Sequence, residues 1–331
     1  MIYDINGNKI LETKNQKNVF SIEPFKSDDQ QTKVSTSSAV FALYDALVSA
    51  YPNYCRKITH TKSTLTNYEY VFTSGAYNSY SSTAYHQDPS TAKPKILVAS
   101  GIHGLEQAAA MANYVFFKSL CEAKPGLEYV REAFEWHTIP IVNQYSYDHY
   151  VRLNANGVDI NRNFDADWVK NTATHYYSGE YPASELETQL IQDWLDEHND
   201  ATFFLDHHNS DALKELCFLQ CTGNQGDQVL IKNRIMYVFN TLISYWKLSR
   251  NLPSDSKWFY CLSATKDRGL MCNYAAKVGI PSALLETSWN VDNTGNDSQL
   301  SIGVGAEAEA MTLLGACSWI DSRAEAEKDA Q

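Results

Sequence analysis

Short and largely apolar runs alternate along this chain with longer segments of helical periodicity. The runs at 96–100, 201–205 and 280–285 are bounded by Pro, Gly or charged residues, which is typical of strands buried on both faces of a sheet. Residues 107–120 are Ala-rich and apolar enough for a buried helix. Strands that alternate with helices predict an α/β fold, in which helices cover both faces of a mixed, largely parallel sheet and form a sandwich.

Weaker local signals predict further elements. They predict a helix at 39–50 capped by residues 35–38, strands at 68–73 and 138–143, and a helix at 303–319. Another predicted helix begins at the capping-box pair Ser184 and Glu187 and buries Leu186, Leu190 and Trp194. A long amphipathic helix is predicted through Ile231, Ile235, Val238, Leu242 and Trp246. The sequence shows no internal repeat.

The length and composition suit one large folded domain. A chain of 331 residues with 44% hydrophobic content can bury a sizeable core. Residues 35–322 are predicted to form a single catalytic domain, because the polar clusters described below must meet at one site. Residues 1–34 are predicted to be an N-terminal extension, with a hairpin around the Ile-Asn-Gly-Asn turn followed by a linker. Residues 323–331 are predicted to form a charged C-terminal tail.

The net charge of −12, without a basic run, argues against nucleic acids and anionic membranes as partners. No stretch approaches eighteen consecutive apolar residues, so no membrane span is predicted. The seven cysteines are odd in number and form no CxxC pair. They are therefore interpreted mostly as reduced core residues, with Cys217 and Cys221 weak candidates for a disulfide or metal role.

Polar residues with metal-binding chemistry follow the first apolar strand. His103 and Glu106 come just after 96–100, and their three-residue spacing places both side chains on one side of a helical turn. An imidazole nitrogen and a carboxylate oxygen can then converge on one cation. The spacing alone also fits a helix N-terminus in which the helix dipole stabilises a glutamate.

Three further polar clusters favour the metal site over the helix N-terminus as the interpretation of His103 and Glu106. The segment Arg152 to Phe164 carries two arginines and four asparagines. A solvated loop is one interpretation, but the planar fork of Arg holds carboxylates and oxyanions bidentately, and Asn161 beside Arg162 adds amide donors. A second strand ends in two adjacent histidines, and the apolar run 280–285 suddenly carries Glu286. Four such strand-end clusters in order suggest one site.

The chain resembles the zinc carboxypeptidases of the carboxypeptidase A and B family, the funnelin metallopeptidases, from about Ser35 to about Ala316. The resemblance rests on HGLE at 103–106, RLNANGVDINRNF at 152–164, SGEYPASELET at 178–188, the strand that ends in His208, and Glu286. It implies one Zn²⁺ ion bound by His103, Glu106 and one histidine of the pair 207 and 208. The family's DxH pattern favours His208, and so does strand alternation, with His207 as the alternative.

The same resemblance implies roles for the other polar residues. Glu286 would be the general base that activates a zinc-bound water. Arg152 would stabilise the tetrahedral oxyanion, and Asn161 and Arg162 would bind the terminal carboxylate of the substrate. Asp159 is interpreted as a residue that orders the loop or hydrogen-bonds a ligand histidine.

Two positions depart from the family pattern. Leu105 stands where digestive members carry a substrate-binding arginine, and no tyrosine is in register with the family's mobile tyrosine. Tyr260 and Tyr274 are the nearest candidates, and the tyrosine could also be absent. Asp267 and Arg268 could recognise a charged side chain, although a solvated loop is the favoured interpretation, since exposed charges are weak signals.

These observations predict a zinc-dependent metallocarboxypeptidase that acts on peptides with a free C-terminal carboxylate. One alternative is a zinc amidohydrolase related to aspartoacylase and succinylglutamate desuccinylase, which share HGxE and DxNR but usually carry shorter versions of the 152–164 and 183–188 segments. Another is a catalytically inactive module that binds a cell wall or a particle. Such a module would have no use for a general base at Glu286.

The first residues weakly resemble tail-associated proteins of phages of Gram-positive bacteria, through the Tyr-Asp-x-x-Gly-Asn opening at 3–8. This resemblance implies a bacterial or phage protein that acts on the peptide of peptidoglycan and associates with a phage particle or cell wall. An ordinary N-terminal extension is the alternative. No apolar signal segment is seen, which predicts a cytoplasmic or phage-associated protein that is secreted only if a signal has been removed.

Overall fold

The computed structural model describes residues 2–3, 9–11, 35–74, 93–210, 217–221, 233, 235, 259–262, 268–288 and 299–329. Its centre is a mixed sheet of eight strands, as the alternation of apolar runs predicts. Four of the seven strand pairings are parallel, and they include the whole central block.

Ten strands lie within the described residues: β1 (Ile2–Tyr3), β2 (Lys9–Leu11), β3 (Cys55–Lys62), β4 (Leu65–Phe72), β5 (Lys95–Ser100), β6 (Glu135–Ile139), β7 (Phe203–Ser210), β8 (Cys217–Cys221), β9 (Phe259–Leu262) and β10 (Ser282–Ser288). The order in the large sheet is β3-β4-β6-β5-β7-β10-β8-β9, and β1 pairs with β2 in a separate antiparallel hairpin. This pairing lies where the N-terminal hairpin is predicted, while the predicted turn at 5–8 and the linker at 12–34 lie outside the described residues.

Seven α-helices lie within the same part of the chain: α1 (Ser37–Ala50), α2 (Gln107–Cys121), α3 (Glu128–Ala133), α4 (Gln144–His149), α5 (Leu186–Glu197), α6 (Met271–Lys277) and α7 (Gln299–Asp329). Helices α1, α2, α3 and α7 contribute to the apolar core on one face of the sheet. Helices α5 and α6 cover the other face. No helix in the described ranges has the length and apolar content needed to cross a bilayer.

Several predicted boundaries were wrong. β3 was missed because its polar residues face outward at the sheet edge, and β6 ends at Ile139 rather than spanning 138–143, since Pro140 follows it. Ser184 does not cap α5: the N-cap is Glu185, and the Ser184 hydroxyl donates to the Glu185 carboxylate instead. α7 continues to Asp329, through most of the predicted tail. The predicted helix at 231–246 lies outside the described residues apart from Asn233 and Ile235, which are both helical.

Alternate side chains of each central strand face opposite sides of the sheet. In β5, Ile96 and Val98 face the core beneath α2 and α7, whereas Leu97 and Ala99 face the core beneath α5 and α6. The parallel strands β5, β7 and β10 all point the same way, so their carboxyl ends lie together at one edge of the sheet. Ligand sites of α/β sheets form at this edge.

Candidate functional site

The segment after β5 makes a tight turn rather than the helical turn that the spacing suggested. His103 and Glu106 are joined by a hydrogen bond from the Glu106 backbone NH to the His103 carbonyl oxygen at 3.1 Å, and Glu106 is the N-cap of α2. A side chain at Gly104 would collide with the backbone of Ser146 on α4. The glycine therefore allows the turn to lie against α4, which brings both side chains to the same point.

Strand β7 contributes one histidine to each face of the sheet. Phe203 and Leu205 lie on the α7 side and Phe204 on the α6 side, so His207 follows the first pair and His208 the second. His207 Nδ1 pairs with Glu309 Oε2 of α7 at 2.7 Å, with both side chains fully buried. His208 Nδ1 lies 2.7 Å from Glu106 Oε2. The alternation thus turns His208 toward the turn after β5 and His207 away from it.

Three buried side chains converge at this edge of the sheet. Glu106 Oε1 lies 2.7 Å from His103 Nδ1, and Glu106 Oε2 lies 2.7 Å from His208 Nδ1. One donor atom of each residue lies within 4.8 Å of the other two, and exposure of the three residues does not exceed 6%. The arrangement offers two nitrogens and one oxygen to a single cation.

A buried carboxylate holds the far side of each imidazole. His103 Nε2 lies 3.1 Å from Asp159 Oδ1, and His208 Nε2 lies 2.8 Å from Asp206 Oδ1. Both aspartates are fully buried. A carboxylate on the outer nitrogen fixes the ring and leaves the inner nitrogen free for a metal, which is the usual second layer of a metal-bound histidine.

The pKa shifts show how strongly this cluster attracts positive charge. Burial would lower the pKa of His103 and of His208, but Glu106 and the outer aspartates raise both pKa values above the usual range. Burial would raise the pKa of Glu106, but the two histidines lower it well below its usual value. A cation could therefore replace the two imidazole protons and satisfy the same carboxylate.

This donor set fits zinc. Two imidazoles and one carboxylate are a common ligand set of catalytic zinc sites, which keep a fourth position open for water. The buried surroundings add two more carboxylates, and a divalent cation would offset that negative charge.

Glu286 of β10 lies directly beside His208 in the parallel register. Paired residues of neighbouring strands point to the same face, so the Glu286 side chain projects to the face on which His208 meets Glu106. Solvent reaches part of the residue, but Oε2 is enclosed and has no hydrogen-bond partner among the described residues. Burial, followed by repulsion from Glu106, raises the pKa of Glu286 to about 7. Such a carboxylate can exchange protons near neutral pH.

Arg152 lies at the same cluster. Its Nε and Nη2 donate to Asp159 Oδ2 at 3.0 and 2.7 Å, which anchors the guanidinium. Its Nη1 lies 3.5 Å from His103 Nδ1 and 3.9 Å from Glu106 Oε1. One edge of the arginine is thus held, and the other faces the metal ligands.

Asn161 and Arg162 follow on a short 3-10 turn capped by Asp159. Asn161 is 2% exposed, with Nδ2 at 3.3 Å from His208 Nε2 and Oδ1 accepting from the Met271 backbone NH at 2.8 Å. Arg162 is half-buried, and its Nη1 donates to the Asn161 carbonyl oxygen at 2.8 Å. The structure brings both residues to the rim of the cluster.

The two longest sequence motifs, 152–164 and 178–188, are joined by hydrogen bonds. Asn154 and Asn156 both donate through Nδ2 to Glu185 Oε2, at 2.8 and 2.7 Å. Asn163 donates to the carbonyl oxygens of Ser178 and Tyr181. The 178–185 segment therefore clamps the loop that carries Arg152 and Arg162, besides leading into α5.

Other candidate residues lie outside the cluster. Tyr274 is buried against α5, and its hydroxyl donates to Asp196 of that helix at 3.1 Å, so the hydroxyl is directed away from the cluster. Tyr260 lies on β9 without a described side chain, and Asp267 is outside the described residues. Arg268 is exposed and Leu105 is half-buried.

Four cysteines have described side chains, and all four are free and buried: Cys55, Cys121, Cys272 and Cys317. The Sγ atoms of Cys55 and Cys121 lie 3.3 Å apart, beyond the about 2.05 Å of a disulfide. The prediction of reduced core cysteines is confirmed for these four. The side chains of Cys217 and Cys221 are not described.

Sequence reasoning missed three contributors. In the sequence Asp206 is only the first residue of the DxH pattern, whereas in the structure its carboxylate lies 2.8 Å from His208 Nε2. Glu309 holds His207, and its position among alanines of a helix was an available sign of a buried charge. Tyr176, 48% exposed, lies with its ring centroid 5.3 Å from the Arg152 guanidinium and 5.5 Å from that of Arg162, and no sequence signal marked it.

Replacing Asp159 by Asn should lower zinc affinity about 10- to 100-fold, because His103 loses the carboxylate that orients it. Arg152 loses its anchor in the same variant. Competition with a calibrated chelator would measure the affinity. Asp165→Asn is the matched control, since Asp165 is an exposed aspartate of the neighbouring segment. Equal affinities in the two variants would contradict a supporting role for Asp159.

Comparison with known proteins identifies the family of this arrangement. The family model described as Peptidase_M14, zinc carboxypeptidase, matches residues 40–216. No curated protein sequence matches the chain.

Solved structures share the fold at low sequence identity. The carboxypeptidase A of Helicoverpa armigera matches with a TM-score of 0.67 and 18% identity, over 90% of this chain and 75% of that one. Thrombin-activatable fibrinolysis inhibitor matches with a TM-score of 0.61 and 15% identity, over 89% and 74%. A metallo-carboxypeptidase of Burkholderia cenocepacia matches with a TM-score of 0.60 and 16% identity, over 84% and 68%.

Proposed function

Since this chain belongs to the zinc carboxypeptidase family, we propose that it removes the C-terminal residue of peptides with His103, Glu106 and His208 as the zinc ligands. One observation carries the assignment of residues: the donor atoms of these three side chains converge within 4.8 Å, next to the register position of Glu286. His207, the alternative ligand, is engaged by Glu309 on the opposite face of the sheet.

Glu286 is the general base of the proposed reaction. A zinc ion at this site would supply a bound water with a pKa of about 7. Glu286 then takes the proton of the attacking water and delivers it to the nitrogen of the leaving amine. The pKa of about 7 that burial and Glu106 give Glu286 suits a group that both accepts and donates a proton.

Arg152 stabilises the negative charge that develops on the scissile carbonyl oxygen. Its Nε and Nη2 are occupied by Asp159, so the side chain is fixed before the substrate arrives. Its Nη1 faces the ligand cluster, where that oxygen must lie for the attack. A donor held in place in this way costs no reorganisation during the reaction.

Asn161 and Arg162 bind the terminal carboxylate and make the enzyme an exopeptidase. They lie on one short turn beside His208, so a carboxylate held there keeps the adjacent peptide bond near the metal ligands. Arg is suited to this role by its bidentate fork. Tyr176 packs beside both arginines at an exposed position and could cover a bound substrate.

Two features of the sequence favour one class of substrate. Leu105 removes the cation that digestive members place in the substrate groove, and the N-terminal opening resembles tail-associated phage proteins. We therefore propose peptides of the bacterial cell wall as the substrates. Release of terminal residues from purified muropeptides, set against unrelated peptides of equal length and followed by mass spectrometry, tests this part of the proposal.

Amidation of the substrate's C-terminus should reduce kcat/KM about 30-fold or more, because a half-buried arginine then loses a charge-assisted contact of about 2 to 5 kcal/mol. In the Arg162→Met variant, acid and amide substrates should be hydrolysed almost equally slowly. Initial rates with a matched pair of peptides measure this. Lys170→Met is the control, since Lys170 is an exposed cation of the neighbouring loop paired with Glu180.

The outcome also separates the competing functions. A wild-type enzyme that hydrolyses amidated peptides as fast as free acids would contradict the exopeptidase assignment. Preference for small acylated amino acids over peptides would instead favour the amidohydrolase alternative. Zinc binding without hydrolysis of either would favour a binding module.

A further inference from the structure

A second cluster of metal-binding side chains lies away from the candidate active site. Among the described residues, two groups bring metal-ligating atoms within 4.8 Å of one another, and the second consists of Glu69, His137 and His198. All three residues are buried, with Glu69 fully so. Like the first group, it presents two imidazoles and one carboxylate.

The fold assembles this group from three separate elements. Glu69 lies on β4 and His137 on the neighbouring β6, and Val71, the register partner of His137, is two residues after Glu69. Glu69 and His137 therefore point to the same face of the sheet. His198 is the C-cap of α5, the helix that covers this face.

The location is distinct from the candidate active site. His137 is in register with Leu97 of β5, near the start of that strand, whereas His103 follows its end. The second group thus lies on a face of the sheet, beneath the end of α5. None of its members contacts Glu106 or Glu286 in the described hydrogen bonds.

The carboxylate of Glu69 is the centre of the group. Its Oε1 contacts His137 Nδ1 and lies 3.2 Å from His198 Nε2. Its Oε2 lies 2.7 Å from Nε2 of a third histidine, His60 on β3. One buried carboxylate is therefore surrounded by three imidazoles, which is more than a simple ion pair requires.

The outer side of His137 carries the arrangement expected of a metal ligand. His137 Nδ1 faces Glu69, and its Nε2 lies 2.8 Å from Glu135 Oε1. A carboxylate on the outer nitrogen fixes the ring and makes the inner nitrogen a better ligand. The same division of the two nitrogens occurs at His103 and His208 in the candidate active site.

His198 supplies an independent observation. It is 8% exposed and both ring nitrogens are enclosed; Nδ1 has no hydrogen-bond partner among the described residues, and the contact of Nε2 with Glu69 lacks the geometry of a good hydrogen bond. Its Nε2 nevertheless points toward Glu69 Oε1. A buried ring nitrogen without a hydrogen bond is costly, and a cation bound between Nε2 and the carboxylate would satisfy this nitrogen.

We propose that Glu69, His137 and His198 form a second, structural site for a divalent transition metal, with zinc as the best match. Imidazole and carboxylate ligands suit zinc, and a structural site is completed by a fourth ligand. His60 is the fourth ligand or holds the second oxygen of Glu69. The metal would tie the end of α5 to β4 and β6, directly before the chain enters β7 with His208.

Zinc stoichiometry in the full-length protein tests the proposal. The metal-free protein would be loaded with zinc, dialysed, and its metal content measured by mass spectrometry. We expect two equivalents in the wild type and one in His208→Ala. We also expect one in His198→Gln and none in the double variant. The surface variant His149→Gln is the matched control and should keep two.

Two further readouts remove dependence on any single variant. X-ray absorption of zinc-loaded His208→Ala should show nitrogen and oxygen ligands with two imidazoles, or three if His60 completes the site, and zinc should raise its midpoint of thermal unfolding. His198→Gln should lose this second zinc while keeping its turnover per remaining zinc. Glu69→Gln, which keeps the size of the side chain, should behave like His198→Gln in zinc content.

The results separate failure of this site from failure of the candidate active site. No zinc in His208→Ala, or two equivalents in His198→Gln, would overturn the second site. One equivalent in the wild type that persists in His208→Ala but disappears in His198→Gln would support the second site and count against zinc binding by the first.

Discussion

Replacing Glu286 by Gln should abolish most turnover while zinc content and substrate affinity stay near the wild-type values. Removal of a positioned general base typically lowers kcat about 10²- to 10⁴-fold, and Glu286 handles a proton twice in the proposed reaction. The amide keeps the size of the side chain but cannot accept the proton. Single-turnover rates, zinc content and binding of a product analogue would separate the three effects.

The matched control is Glu309→Gln. Glu309 is a fully buried carboxylate beside the sheet, and it pairs with His207 on the face opposite Glu286. The glutamine oxygen can still accept from His207, so turnover should stay near normal. Near-normal turnover in Glu286→Gln would show that Glu286 has a structural role, and the proposed general base would be wrong.

Replacing His208 by Ala should remove one equivalent of zinc and with it the turnover. Loss of a direct ligand should weaken binding by more than the about 10- to 100-fold expected for loss of an outer carboxylate. It also leaves Asp206 and Glu106 buried without one of their imidazole partners. Zinc content and peptide hydrolysis, measured on the same preparation, check this result.

His207→Ala is the contrasting variant at the adjacent position. It should keep the zinc, because His207 faces α7, but lose about 1 to 3 kcal/mol of stability as Glu309 is left without its partner. The double variant His207→Ala with Glu309→Met should recover part of that loss. Loss of zinc in His207→Ala with retention in His208→Ala would reverse the assignment of the ligand.

The elements of the candidate site were largely predictable because they carry local signals. The apolar runs before His103, His207 and Glu286 predicted buried strands, and β5, β7 and β10 are confirmed at these places, although β7 and β10 extend further toward their carboxyl ends than the apolar runs do. The density of Arg and Asn in 152–164 predicted a binding loop. These signals can be recognised from the sequence alone, because a residue that follows a buried strand of a parallel sheet has to lie at the sheet's edge.

Boundaries failed where tertiary contacts outweighed local preference. Ser184 has the sequence of an N-cap, but its hydroxyl donates to the side chain of Glu185, whose other oxygen accepts from Asn154 and Asn156. The capping box of α5 is therefore replaced by a contact between two distant segments. No local pattern reports such a contact, because its partners are about thirty residues apart.

By itself the sequence determined the fold class, the strand ends and the residues able to bind a metal, since these depend on periodicity and side-chain chemistry. Only the tertiary structure decided that His208 faces Glu106 and His207 faces Glu309, because this depends on which helix covers each face of β7. The same holds for Glu69, His137 and His198. They lie far apart in the chain and meet only because β4, β6 and the end of α5 pack together.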